Sequence, residues 1–119
     1  MHTVNIKRIY DPVSDTDGFR VLVDRLWPRG ISKEKAHIDV WAKEVTPSSA
    51  LRKEYHQNLI DFKAFNTQYQ AELIQNQGLE AFVELVKEKL AEGNVTFLTA
   101  SKNMEGNHAE ILKEWVETR

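Results

Sequence analysis

Cysteine is absent from all 119 residues, and its absence removes more chemistry than any residue present supplies. Without a thiol there is no disulfide frame, no thiolate nucleophile and no cysteine-ligated zinc or iron–sulfur cluster. Cysteine phosphatases, thiolate sulfurtransferases and thioredoxin-like oxidoreductases are thereby excluded. Glycine and proline are scarce, at five and three residues. With 41% apolar and 29% charged residues, neither a disordered nor a collagen-like chain fits. There is also no excess of one charge. Sixteen Lys and Arg against eighteen Asp and Glu leave a net charge of −2, so the chain has no global attraction for polyanions and no nucleic-acid partner is expected. Long hydrophobic runs are missing too. The longest, Val21-Leu22-Val23 and Val95 to Leu98, fall far short of the roughly 20 residues that span a bilayer. Met1-His2-Thr3-Val4-Asn5 lacks the basic and apolar regions of a signal peptide. The expectation is a cytoplasmic protein with no membrane partner. His2, His37, His56 and His108 never fall three to five residues apart, so no local metal pair is written and neither metal nor cofactor is expected.

What remains is an ordinary globular chain of single-domain length, read as one small α/β domain over residues 1–119. Alternation over residues 4–9 predicts a first strand, ended by Tyr10-Asp11-Pro12, and the Asp-, Pro- and Gly-containing stretch 11–18 reads as a surface loop. Arg20-Val21-Leu22-Val23-Asp24 and Val95 to Ala100 are the nearly continuous β-branched runs that strands buried on both faces require. Between them, Thr46 is expected to cap a helix with Pro47 in its first turn, running to about His56. Asp61 can cap a second, with Phe62, Phe65, Tyr69 and Leu73 on one face. Leu79, Phe82, Val83, Val86 and Leu90 form a third stripe that Gly93 stops. Asn107, with Glu110 three residues on, permits a capping box for a last helix buried through Ile111, Leu112, Trp115 and Val116. Strands separated by helical segments predict a short, largely parallel central sheet flanked by helices, with a mixed sheet as the variant.

Two segments carry the residues for chemistry. Asp24-Arg25-Leu26-Trp27-Pro28-Arg29-Gly30 follows one central strand. On a structural reading Trp27 plugs the core, Pro28 and Gly30 shape a turn, and Asp24 pairs with an arginine. On a functional reading Arg25 and Arg29 are two guanidinium groups on a stiff loop, a fork for phosphate or carboxylate. The segment Ser101 to His108 follows the other central strand and opens a helix, where backbone N–H groups and the helix dipole favour an anion. Ser101 and Lys102 add a hydroxyl and an ammonium, Asn107 a cap. His108 is the only plausible acid or base at neutral pH. Two parallel strands would deliver both loops to one sheet edge. Ser48, Ser49 and Arg52 sit at a helix start, where the hydroxyls serve exposed N–H groups. A Ser101, His108 and Asp24 triad can be written down, but no Gly-x-Ser-x-Gly elbow supports it.

The Asp24 to Gly30 motif, Tyr10-Asp11-Pro12 and Asp17-Gly18 upstream, Thr46-Pro47-Ser48 with Leu51-Arg52 downstream, and the closing Asn107-His108-Ala109 together resemble the YeaO-like family, domain of unknown function 488, from about Ile6 to Val116. The resemblance implies a single small bacterial α/β domain and brings no activity with it. Other branches of the wider family carry Cys-His-Arg where this chain has Asn107-His108-Ala109, so only His108 carries over. The site expected here therefore binds a small phosphate- or carboxylate-bearing ligand, such as a nucleotide or sugar phosphate. Arg25, Trp27, Arg29, Ser101, Lys102 and Asn107 would contact it, and His108 with Asp24 would stand as the proton-transfer pair. The alternative is a noncatalytic interaction or regulatory module presenting Trp27 and Trp41. An exposed apolar patch would mark that module; aromatics buried beneath a polar cleft would mark a ligand site.

Overall fold

The computed structural model describes residues 2–102 and 106–119. Four strands, β1 (Val4–Arg8), β2 (Phe19–Leu22), β3 (Val40–Trp41) and β4 (Val95–Thr99), form one sheet in the order β1-β4-β2-β3, and every pairing is parallel. The largely parallel expectation is thus met without a mixed strand. The register sets Val21 opposite Phe97 and Leu22 opposite Leu98. Because side chains alternate across a sheet, Val21, Val23, Val95 and Phe97 enter one core and Leu22 and Leu98 a second. All five β4 residues are buried, as a strand between two neighbours and two covered faces requires.

The larger core is covered by α2 (Ser49–His56), α3 (Phe62–Gln75), α4 (Leu79–Glu92) and α5 (His108–Glu117). Phe65, Tyr69, Leu73, Phe82, Val86 and Leu112 supply its buried side chains, as the apolar spacing predicts. Asp61 caps α3 by accepting from the Ala64 N–H at 2.9 Å. The opposite face is covered by the crossover between β2 and β3, with α1 (Lys33–Ala36) and the half-buried Trp27, Ile31, Ile38 and Trp41 around Ile9, Leu22 and Leu98.

Three details depart from the sequence expectation. The helix predicted from a Thr46 cap begins later: Pro47 drives residue 46 into extended backbone, φ −84 and ψ 159. The Thr46 hydroxyl instead donates to the Lys43 carbonyl at 2.7 Å, and Ser48 is the cap, accepting from the Leu51 N–H at 3.2 Å. Glu72 holds that cap in place, accepting from the Ser48 N–H at 2.8 Å and hydroxyl at 2.6 Å. Second, Glu110 reaches back to the Gly106 N–H at 3.2 Å. Third, Arg20 is a charged residue inside a central strand, 4% exposed. Gly18, just before β2, is obligatory: at φ +67 an added Cβ would lie 1.9 Å from the Asn94 carbonyl oxygen, which accepts from the Phe19 N–H to start the strand pairing. Among the described residues no helix is long and apolar enough to cross a membrane.

Candidate functional site

The parallel arrangement of β2 and β4 brings the segments that follow them to the same edge, the place where open α/β sheets take ligands. A cavity of about 590 Å³ opens there. From the segment after β2 it is lined by Asp24, Arg25, Leu26, Trp27, Pro28 and Arg29. Thr99, Ala100, Ser101, Gly106, Asn107 and His108 line it from the segment after β4. Residues 103–105 of the predicted second loop lie outside the described residues. Lys102 is exposed and is not among the lining residues, so the ammonium expected beside Ser101 stands apart from the other candidates. A third wall, not foreseen as part of the site, comes from α2 and its approach: Pro47, Arg52, Tyr55, His56 and Asn58. Arg52, Tyr55 and His56 are spaced i, i+3 and i+4, so one helix side carries all three. That spacing is visible in the sequence, but what it faces is not.

Asp24 ties the edge together. Its Oδ1 accepts from the Thr99 hydroxyl at 2.7 Å, its Oδ2 from the Ala100 N–H at 2.7 Å, and its backbone carbonyl from Trp41 Nε1 at 2.7 Å. The partner that a structural reading assigned to it, an arginine, is replaced by these neutral donors and by His108, whose Nε2 lies 3.3 Å from Oδ1. Burial acts to raise the Asp24 pKa, yet hydrogen bonds from His108 and the Ala100 N–H outweigh it and hold the carboxyl below its ordinary value. His108 Nε2 is 2.6 Å from the Val23 carbonyl oxygen. A carbonyl only accepts, so the proton sits on Nε2. Nδ1 is then the ring nitrogen with no partner among the described residues. Tyr69 meets the ring edge-on at 6.5 Å.

Arg25, Arg29 and Arg52 bring three guanidinium groups to the cavity. Among the described residues their guanidinium groups make no ion pair and no hydrogen bond, and Asp24, already engaged, is the sole carboxylate among the described lining residues. The loop carrying Arg29 is held from behind: the Tyr10 hydroxyl donates to the Arg29 carbonyl at 2.7 Å, and Gly30 takes a left-handed φ of +78. Arg8 braces the other loop through the Ser101 carbonyl at 3.1 Å and the Ala100 carbonyl at 3.5 Å. Asn107 is 5% exposed, and its Oδ1 caps α5, accepting from the Ala109 and Glu110 N–H groups at 2.9 and 3.2 Å.

Trp27 and Trp41 are half-buried and meet edge to face at 5.5 Å, and Trp27 Nε1 donates to the Ile31 carbonyl at 2.8 Å. The large exposed apolar residues are instead Tyr10, Val13, Leu26, Leu59 and Ile74, spread over separate segments. No group of three His, Asp or Glu residues suited to a metal ion occurs among the described residues.

A family model described as "Inactive DUF488-N3 subclade" matches residues 3–119. The chain is 42% identical over 116 residues to the Escherichia coli protein named "Uncharacterized protein YeaO", covering 97% of each. It is 35% identical to the Mycobacterium bovis "Uncharacterized protein Mb3100c" and the Mycobacterium tuberculosis "Uncharacterized protein Rv3073c", covering 98% of this chain and 95% of each relative. No solved structure matches.

Proposed function

This chain belongs to the YeaO-like DUF488 family, in the subclade described as inactive, and from that premise we propose that it is a binding protein for a small phosphate- or carboxylate-bearing ligand. The observation that carries this reading is the set of three guanidinium groups, Arg25, Arg29 and Arg52, that have no polar partner among the described residues, around a cavity whose one carboxylate among those residues, Asp24, is already engaged. Guanidinium forks match the planar oxygens of carboxylate and phosphate, and a locally cationic cavity in a chain of net charge −2 selects anions without general basicity. Arg25 and Arg29 bind the anion in this reading; Trp27, Ser101 and Asn107 shape the wall around it; Lys102 acts at most as a distant charge.

A second reading, turnover with His108 as proton carrier and Asp24 as its partner, has one observation in its favour: their 3.3 Å contact. Against it, Nε2 is directed to the Val23 carbonyl, which leaves only Nδ1 to serve a ligand. Asn107 occupies the position where other branches carry cysteine, and it is committed as a helix cap. Binding without turnover accommodates both facts and the family's description as inactive. An interaction module built on Trp27 and Trp41 is less well supported, since both rings are half-buried and their N–H groups are satisfied.

The test is thermal unfolding in sulfate or phosphate against chloride at matched ionic strength. Millimolar anion with a dissociation constant of roughly 0.1 mM should add more than about 1 kcal/mol of stability. Part of that gain should vanish in Arg29→Ala, while His108→Ala should retain most of it. Identical responses of the wild type and Arg29→Ala to every anion would make the arginines structural and sink the reading.

A further inference from the structure

The cavity is larger and more apolar than an inorganic anion needs. At about 590 Å³ it lies inside the range of roughly 300–1,000 Å³ typical of sites for organic ligands. Its cationic groups share the walls with Leu26, Trp27, Pro47, Tyr55 and Phe65. Tyr55 is the best defined of these. Its ring stacks on Phe65 with centroids 4.3 Å apart and planes 14° apart, and its hydroxyl donates to the Gly106 carbonyl at 2.7 Å. The ring is thus fixed both at its face and at its tip, yet only half-buried. Arg52 precedes it by three residues on the same helix side, half-buried and without a polar partner among the described residues.

A rigid aromatic wall flanked by a free guanidinium is a surface on which a planar group can lie, because every nucleobase has a π-face and guanidinium planes stack as aromatic rings do. We infer that the ligand of this cavity is an organic monophosphate with a planar body, a nucleoside 5′-monophosphate in size and chemistry. Arg25 and Arg29 hold the phosphate, and the base lies toward Tyr55 and Arg52. The inference rests on the anion reading above and narrows it. A sugar phosphate would set hydroxyl groups against Pro47, Tyr55 and Phe65, whereas inorganic phosphate would leave most of the cavity to water.

Isothermal titration of the full chain with adenosine 5′-monophosphate, uridine 5′-monophosphate, ribose 5-phosphate, adenosine and sodium phosphate, at one ionic strength, tests this. The tighter of the two nucleotides should bind at least about tenfold more tightly than ribose 5-phosphate, the advantage expected of one stacked base. It should also bind more tightly than adenosine. Arg52→Ala should weaken the nucleotide severalfold and ribose 5-phosphate little; Tyr55→Phe, which keeps the ring, should retain the preference. Ribose 5-phosphate binding as tightly as either nucleotide overturns the inference and leaves the anion reading standing. Adenosine equal to its monophosphate, or no binding of any of the five, overturns both.

Discussion

Two clusters of charge in this molecule follow opposite rules. At the start of β2, on the α1 side, Asp17 and Arg20 are 3% and 4% exposed and paired with each other. Asp17 takes Arg20 Nη1 at 2.5 Å and Lys7 Nζ at 2.9 Å. Arg20 also gives Nη2 to the Ala36 carbonyl at 2.9 Å and Nε to the His37 carbonyl at 3.0 Å. At the other end of β2, Arg25 and Arg29 face a cavity in which no described residue is paired with them. A buried ion without partners is too costly to persist, so the first cluster is a condition of folding. The second carries no such requirement, because its guanidinium groups line an open cavity. Arginines within ten residues of each other in one chain thus stand in different settings, and the difference is whether a carboxylate is paired with the guanidinium.

The comparison breaks first at Asp17. Asp17→Asn strands the Arg20 guanidinium in the interior, and chemical denaturation should show a loss of about 3–5 kcal/mol, the range for removing one partner of a buried pair. A loss below 1 kcal/mol would mean that the two carbonyls suffice for Arg20.

Acid sharpens the contrast. Burial acts to raise the Asp17 pKa, but the hydrogen bond from Lys7 and its other donors outweigh it, so the carboxyl lies below its ordinary 3.8; Asp24 is lowered as well. The unfolded chain therefore takes up protons first as pH falls. Stability from both groups is complete above about pH 5 and declines as pH drops through the unfolded and then the folded values. Stability measured from pH 6 downward should fall less steeply in Asp17→Asn, relative to its own value at pH 6, than in the wild type. Equal slopes would show that Asp17 is not a main source of acid sensitivity.

Asn107→Ala, which removes the cap of α5, should cost about 1 kcal/mol in the same assay. No change would mean that the helix is capped by other groups. The smallest effect is expected at the cavity: Arg25→Ala, Arg29→Ala and Arg52→Ala should each stay within about 0.5 kcal/mol of the wild type without ligand. A large loss in any of them would show that the guanidinium has a structural partner after all and would dissolve the distinction between the two clusters.

The convergence at the cavity edge was legible because it needs only two inferences. The runs Val21-Leu22-Val23 and Val95 to Leu98 could be buried on both faces only as central strands, and parallel central strands share a carboxyl edge. The α3, α4 and α5 stripes and the Asp61 and Asn107 caps were legible for the same reason, being local patterns. Strand β3, two residues long, and α1, four residues long, are too short to show a period. Arg20 looks like any strand-end arginine until the crossover delivers the Ala36 and His37 carbonyls to it. Arg52 belongs to the cavity only because of where α2 docks, and Lys102 misses it through the course of its own loop; neither fact is written within a few residues of the side chain concerned.

One feature of the sheet bears on how the molecule is made. The central strand β4 pairs with β1 across 91 positions, Val4 to Val95, and with β2 across 76, Phe19 to Val95. During synthesis from the amino end, both earlier strands are complete while the strand that joins them is missing, so neither can satisfy its backbone along that side. Pairings so distant in sequence make folding slow, since the intervening loop must close before any contact rewards it. The four helix-bearing segments α1 to α4 can collapse meanwhile, but the ligand-facing edge cannot exist before residue 99 has been joined to the chain. The cavity is consequently among the last parts of the fold to appear, and a ligand that stabilises it acts on the final step of assembly.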